Sequence, residues 1–223
     1  MAQIAADLAH KGCPVFRFDR RGVGDSEGVN GGFESSAQDI AAALAAFSAA
    51  QPQLSRIIAF GNCDAATALL LHVPPGIDAL ILTNPWVVEP PADQPAPAAA
   101  RAYYAARLRN PRAWWKLITG KVDLDKTRAS LASAVAAEAP SALAARVAAA
   151  MATVTIPIYI HLAAQDGTAI AFDAQWQGAQ FDATRTHVQI IGHDTASHSF
   201  APPADYAALR DAIQTILLAK PAA

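Results

Sequence analysis

Ile57-Ile58-Ala59-Phe60-Gly61-Asn62-Cys63-Asp64-Ala65-Ala66 changes character at a single glycine. Before Gly61 the residues are apolar and partly β-branched, which suits a short buried strand. After it, Ala65 to Val73 has the composition of a helix packed under a sheet, and Pro74-Pro75-Gly76 stops it. The stretch therefore predicts a strand, a sharp turn and a helix, with Cys63 at the apex. A side chain held there projects clear of the sheet, and the N-terminus of the following helix favours an anion on it. Asp64 opposes this, since a neighbouring carboxylate disfavours a thiolate. A lone cysteine is ordinarily a small buried hydrophobe, so a nucleophilic Cys63 depends on what else the chain brings to the same place.

Toward the N-terminus, Ile4, Leu8 and Lys11 recur at helical spacing, Gly12 ends the pattern, and Pro14-Val15-Phe16-Arg17-Phe18-Asp19 reads as a strand. The turn Asp19-Arg20-Arg21-Gly22-Val23-Gly24-Asp25-Ser26-Glu27-Gly28 carries three glycines. It lacks the Gly-Lys-Ser/Thr ending of a phosphate loop, and its glycine spacing is wrong for a dinucleotide fingerprint, so it is expected to be a structural turn. Ile40, Leu44 and Phe47 then mark an amphipathic helix between about residues 33 and 50.

Toward the C-terminus, Ala79-Leu80-Ile81-Leu82-Thr83-Asn84 is a second short apolar strand. At Pro85 the composition shifts to a proline-rich stretch, followed by helical segments bearing Tyr103, Tyr104, Trp114 and Trp115. Residues 86–152 are read as a helical cap inserted between an N-terminal part of the core (1–85) and a C-terminal part (153–223). The parallel pattern resumes with Ile156-Pro157-Ile158-Tyr159-Ile160-His161-Leu162, and Asp166 falls just past that strand's end. A helix from about Thr168 to Gln180, a strand Thr186 to Gly192, the loop His193-Asp194-Thr195-Ala196-Ser197-His198-Ser199-Phe200 and a last helix after Pro202 complete the chain. Strands and helices alternate without hairpin signals, which predicts an α/β fold with a mostly parallel sheet flanked by helices.

The 223 residues fit one domain with an insertion, and a hydrophobic content of 53% is ample for a core. Net charge is -2, and no dense Lys/Arg run offers an electrostatic partner for nucleic acid or an anionic membrane. The two cysteines, Cys13 and Cys63, suit a reducing compartment better than a disulfide framework. No signal-peptide pattern or membrane-length apolar run is evident in the sequence, so a cytoplasmic location is expected. No cofactor or metal is expected, and the partner expected is a small acyl substrate; pairing into a homodimer is left open.

Cys63, Asp166 and His198 occur in that order, each just after a predicted strand. In an open α/β sheet this is the carboxyl edge, where ligands bind. The order nucleophile, acid, histidine is that of an α/β-hydrolase triad. The segment Gly61-x-Cys63-x-Ala65 resembles the nucleophile elbow of that superfamily, and Asp19-x-Arg21-Gly22-x-Gly24-x-Ser26 resembles the turn after its fourth strand. Within the superfamily the chain is similar to the exosortase A system-associated hydrolase 1 group. The similarity lies in Phe16 to Gly28, Gly61-Asn-Cys-Asp-Ala-Ala66, Tyr103-Tyr104 to Trp115-Lys116-Leu117, Gly120-Lys121-Val122, Asp166-Gly-Thr-Ala169 and Ser197-His-Ser-Phe200. The resemblance implies an α/β-hydrolase fold, cleavage of an ester, thioester or similar acyl bond, and a setting beside the exosortase/PEP-CTERM sorting system. In that reading His198 takes the Cys63 proton, Asp166 orients the imidazole, and the backbone N–H of Asp64 contributes to an oxyanion hole. His193, on the same loop, is the reserve base.

One departure bears on activity. The chain starts at the helix before the Val15 strand, so the family's third strand, expected between the Val15 and Ile57 strands, has no counterpart, nor does the oxyanion amide that its loop supplies. The expectation is either that Met1 is not the true start or that the sheet has a gap, and with the gap comes an alternative function: a non-catalytic hydrolase-fold protein that binds a ligand or partner.

Overall fold

The computed structural model describes residues 1–88 and 141–219. The segment from 89 to 140, with most of the expected cap and its aromatic residues, lies outside the described residues.

Four short strands form one parallel sheet in the order β1-β2-β3-β4: β1 (Ile58–Asn62), β2 (Ala79–Thr83), β3 (Ile158–Ala163) and β4 (Val188–His193). Registers pair Gly61 with Leu82, Thr83 with His161, and Ala163 with His193. Helices α1 (Ala2–His10), α2 (Ala37–Ala50), α3 (Asp64–Leu71), α4 (Ala142–Met151), α5 (Gly167–Trp176) and α6 (Pro203–Leu218) surround it. All five residues of β2 are buried, as a central parallel strand requires.

Period-two alternation divides the core into two layers. Leu80, Leu82, Ile158, Ile160 and Leu162 pack with α3, α4 and α5; Ile81, Tyr159 and Ala163 face the other way, onto Ile4 and Leu8 of α1 and Leu209 and Ile213 of α6. Helix α4, at the end of the 86–152 segment, places Leu143, Ala144, Val147 and Met151 in the first of these layers, so these residues pack with the sheet core.

Residues 14–19 correct one expectation. They adopt no strand, and Val15, Phe16 and Phe18 remain exposed. A strand exists through the ladder it makes with a neighbour, and among the described residues nothing pairs with this segment; Phe16 instead stacks on Phe47 of α2, with ring centroids 5.8 Å apart. β1 is thereby an edge of the described sheet. The turn that follows is braced internally: the Ser26 hydroxyl donates to the Asp19 carbonyl at 2.7 Å, and Gly24 (φ 57) lies so close to the Asp19 carboxylate that a Cβ would overlap it; Arg21 ties it to Asp39 of α2 at 2.7 Å.

Candidate active site

The elbow forms as the sequence predicts. Helix α3 begins at Asp64, one residue after Cys63, and the backbone of Cys63 has φ 57 and ψ -122. A non-glycine residue in that region carries strain of order 1–3 kcal/mol. Gly61 is required by the closeness of strand and helix, since a Cβ there would lie 2.8 Å from backbone atoms of Ala65 and Ala66. The Cys63 N–H donates to the Thr83 carbonyl at 2.9 Å, so β2 anchors the apex from beside it.

Among the described residues, three non-glycine residues have positive φ: Cys63, Asn84 and Phe200. All three stand at the carboxyl edge of the sheet, after β1, β2 and β4. Strain gathered at one edge marks a place where side-chain position outweighs backbone comfort.

Asp166 and His198 meet there. Asp166 is the N-cap of α5, and its Oδ2 accepts from the N–H groups of Thr168 and Ala169, each at 3.1 Å. The same oxygen lies 3.0 Å from His198 Nδ1. The carboxylate is thus fixed by a helix terminus before it meets the imidazole, and as an acceptor it selects the tautomer with hydrogen on Nδ1 and leaves Nε2 free for chemistry. His198 is about one-third exposed, whereas Asp166 is mostly buried.

The thiol of Cys63 is half-buried and its pKa is raised above the ordinary value, first by burial. The backbone N–H of Asp64 donates to the sulfur and pulls the other way, while the carboxylates of Asp64 and Asp166 push further up. Asp64 is not free to act alone, because Arg20 from the glycine-rich turn pairs with it at 2.9 Å.

His193, the reserve base, is engaged elsewhere. Its Nε2 lies 2.9 Å from Nδ1 of His161, and its ring meets Phe200 edge-on. His161, on β3, is fully buried, and its other nitrogen has no partner among the described residues. Burial, with His193 beside it, pushes its pKa down to about 4. Sequence reading missed this pair, the Arg20–Asp64 contact and the side-chain contacts of Asn84 with Ala163 and His198. A histidine inside an apolar β-run was the one signal for the pair. Among the described residues no group of His, Cys, Asp and Glu is arranged to hold a metal ion, and no helix is long and apolar enough to cross a membrane. Cys13 and Cys63 are both free thiols.

A parallel sheet, a strained elbow at its carboxyl edge and an Asp–His pair after the third and fourth strands define the α/β-hydrolase fold. The chain belongs to the Hydrolase_4 family, described as serine aminopeptidase, S33, whose model matches residues 1–169. The matched range includes Cys63 and Asp166. Solved structures agree on the fold. A Pyrococcus furiosus esterase superposes with a TM-score of 0.58 at 12% identity, covering 96% of this chain and 73% of that one. A Paleococcus ferrophilus monoacylglycerol lipase gives 0.56 at 15%, covering 96% and 87%. A Pseudomonas aeruginosa hydrolase gives 0.53 at 17%, covering 98% and 85%. No curated protein sequence matches the chain.

Proposed function

We propose that the chain is an acyl hydrolase that cleaves an ester, thioester or similar bond through Cys63, His198 and Asp166. The observation that carries the reading is the 3.0 Å contact of His198 Nδ1 with the helix-capped Asp166, on the sheet edge where Cys63 occupies a strained elbow. The Cys63 proton passes to His198 Nε2 and the sulfur attacks the carbonyl carbon. The tetrahedral intermediate places its oxyanion toward the Asp64 N–H, then collapses as His198 gives the proton to the leaving group. Water, deprotonated by His198, attacks the acyl-Cys63 thioester and frees the acid and the thiol. Asp166 orients the imidazole throughout and stabilises its cation.

The esterase and lipase of similar fold support an ester as the bond class. Residues 86–152 would supply the cap, and its aromatic residues the apolar pocket wall for a small acyl substrate. The resemblance to the exosortase A system-associated group supports a cytoplasmic role beside that sorting system.

Incubation with a nitrophenyl ester and with a thioester, followed by intact-mass measurement, tests the reading. The expected result is an acyl adduct on Cys63 that Cys63→Ala abolishes; absence of any adduct between pH 6 and 9 would overturn it. The upward push on the thiol favours a second reading, a ligand-binding protein without turnover, in which Cys63→Ala leaves binding unchanged.

A further inference from the structure

We propose that Asn84 is a positioning residue that sets the His198 loop against the strand carrying Asp166; the inference deepens, and rests on, the reading of His198 as the base.

Asn84 follows β2 and is fully buried, with φ 45. β2 pairs with β3 as far as Thr83 and His161, and the Asn84 N–H still donates to the His161 carbonyl at 3.1 Å. Beyond that, β3 runs on and β2 does not. The Ala163 N–H, buried and past the end of its neighbour, is taken by Asn84 Oδ1 at 2.8 Å. A left-handed backbone turns the main chain out of the ladder, and the side-chain carbonyl supplies the acceptor that the next strand residue would have supplied.

The other half of the amide does the positioning. Asn84 Nδ2 donates to the backbone carbonyl of His198 at 2.8 Å. Three residues after Ala163 comes Asp166, whose N–H returns to the Ala163 carbonyl at 2.8 Å. One amide group therefore spans the strand end that leads to the acid and the backbone of the residue that bears the base. The preceding residue, Thr83, holds the Cys63 N–H, so the Thr83-Asn84 dipeptide ties the backbones of Cys63 and His198, and the Ala163 strand end that leads to Asp166, to one place.

The residue type follows from these demands. A short side chain must offer an acceptor and a donor together, and the backbone must tolerate positive φ; asparagine meets both requirements. Glycine accepts the backbone but makes neither bond. Ionised aspartate keeps the bond to Ala163 and loses the donor to His198, whereas protonated aspartate has both.

The test is the low-field proton resonance of His198 Nδ1–H, identified by its loss in His198→Ala, followed with melting and nitrophenyl-ester kinetics. The unsubstituted protein is expected to show it. In Asn84→Gly the resonance weakens or vanishes while unfolding stays cooperative, and kcat falls on the order of 10²-fold with KM nearly unchanged, the scale of a small misplacement of a catalytic group. In Asn84→Asp the resonance and kcat are near normal at low pH and decline, relative to the unsubstituted protein, as the new carboxyl ionises. That pH dependence separates positioning from simple support of the fold, and it holds if Asn84→Gly fails to fold. The proposal is overturned if the unsubstituted protein lacks the resonance, or if either folded variant keeps it unchanged at every pH. A persistent resonance in an unsubstituted protein that forms no acyl adduct would defeat the hydrolase reading, and the kinetic part of this one with it, and leave standing only the placement of His198 by Asn84, read from the resonance in the variants.

Discussion

The Arg20 guanidinium lies 2.9 Å from the carboxylate of Asp64, the residue directly after Cys63. The carboxylate that disfavours the thiolate is thus partly neutralised from the glycine-rich turn. Removing the cation should leave the thiol harder to ionise, and removing the carboxylate should ease it. The pair is partly exposed, so the effects are screened: Arg20→Gln should slow alkylation of Cys63 by iodoacetamide at neutral pH roughly threefold, and Asp64→Asn should speed it by a similar factor. The double variant should behave like Asp64→Asn, because Arg20 acts through Asp64. Rates of alkylation against pH check all three.

Asp166 has two duties that substitution can separate. Asparagine is as good an N-cap as aspartate, so Asp166→Asn should keep stability within about 0.5 kcal/mol while ester turnover falls on the order of 10³–10⁴-fold, as an amide favours the wrong imidazole tautomer. Asp166→Ala loses the cap as well, and should cost about 1 kcal/mol more in urea unfolding. Equal stability losses in the two variants would refute the capping duty.

At Gly61 the prediction concerns packing alone. A Cβ 2.8 Å from the backbone of Ala65 and Ala66 cannot be relieved by rotating a side chain. Gly61→Ala should therefore destabilise by about 1–3 kcal/mol, the usual cost of an overpacked site, and should disturb the elbow. Denaturant midpoints measure the first effect and Cys63 alkylation the second.

The His161–His193 pair predicts a pH dependence of stability. His161 is held at about 4 in the folded protein, against about 6.5 in an unfolded chain. Between those values the unfolded chain binds a proton that the folded chain refuses. Stability is therefore full above pH 6.5 and declines as pH falls toward 4, by at most roughly 1.4 kcal/mol per pH unit. His193, lowered by burial against the opposing pull of Asp205, acts in the same direction. Urea midpoints at pH 7.5 and 5 should differ, and His161→Gln should narrow the difference.

Much of the backbone frame of the candidate site was legible in the chain. The elbow could be read because its signals are local: an apolar run, a glycine and an alanine-rich helix within a few residues. Asp166 and His198 could be read because alternating strands and helices deliver every loop after a strand to one edge. The segment 14–19 shows the limit. Its residues have strand propensity, yet the described sheet gives it no neighbour, and propensity cannot provide one.

The sequence alone determined the class of fold, the apex residue and the order of the three candidate residues, because each follows from short-range pattern and from the handedness and direction of a parallel sheet. Only the tertiary structure decided which histidine meets Asp166. In the chain the two are five residues apart, but His193 closes β4 and lies against His161, while the loop up to the turn at Phe200 brings His198 to Asp166. The ties that hold this arrangement, Arg20 to Asp64 and Asn84 to Ala163 and His198, join residues from 44 to 114 positions apart. Such pairs leave no periodic trace in the chain, since their geometry exists only once the strands have set the distances between them.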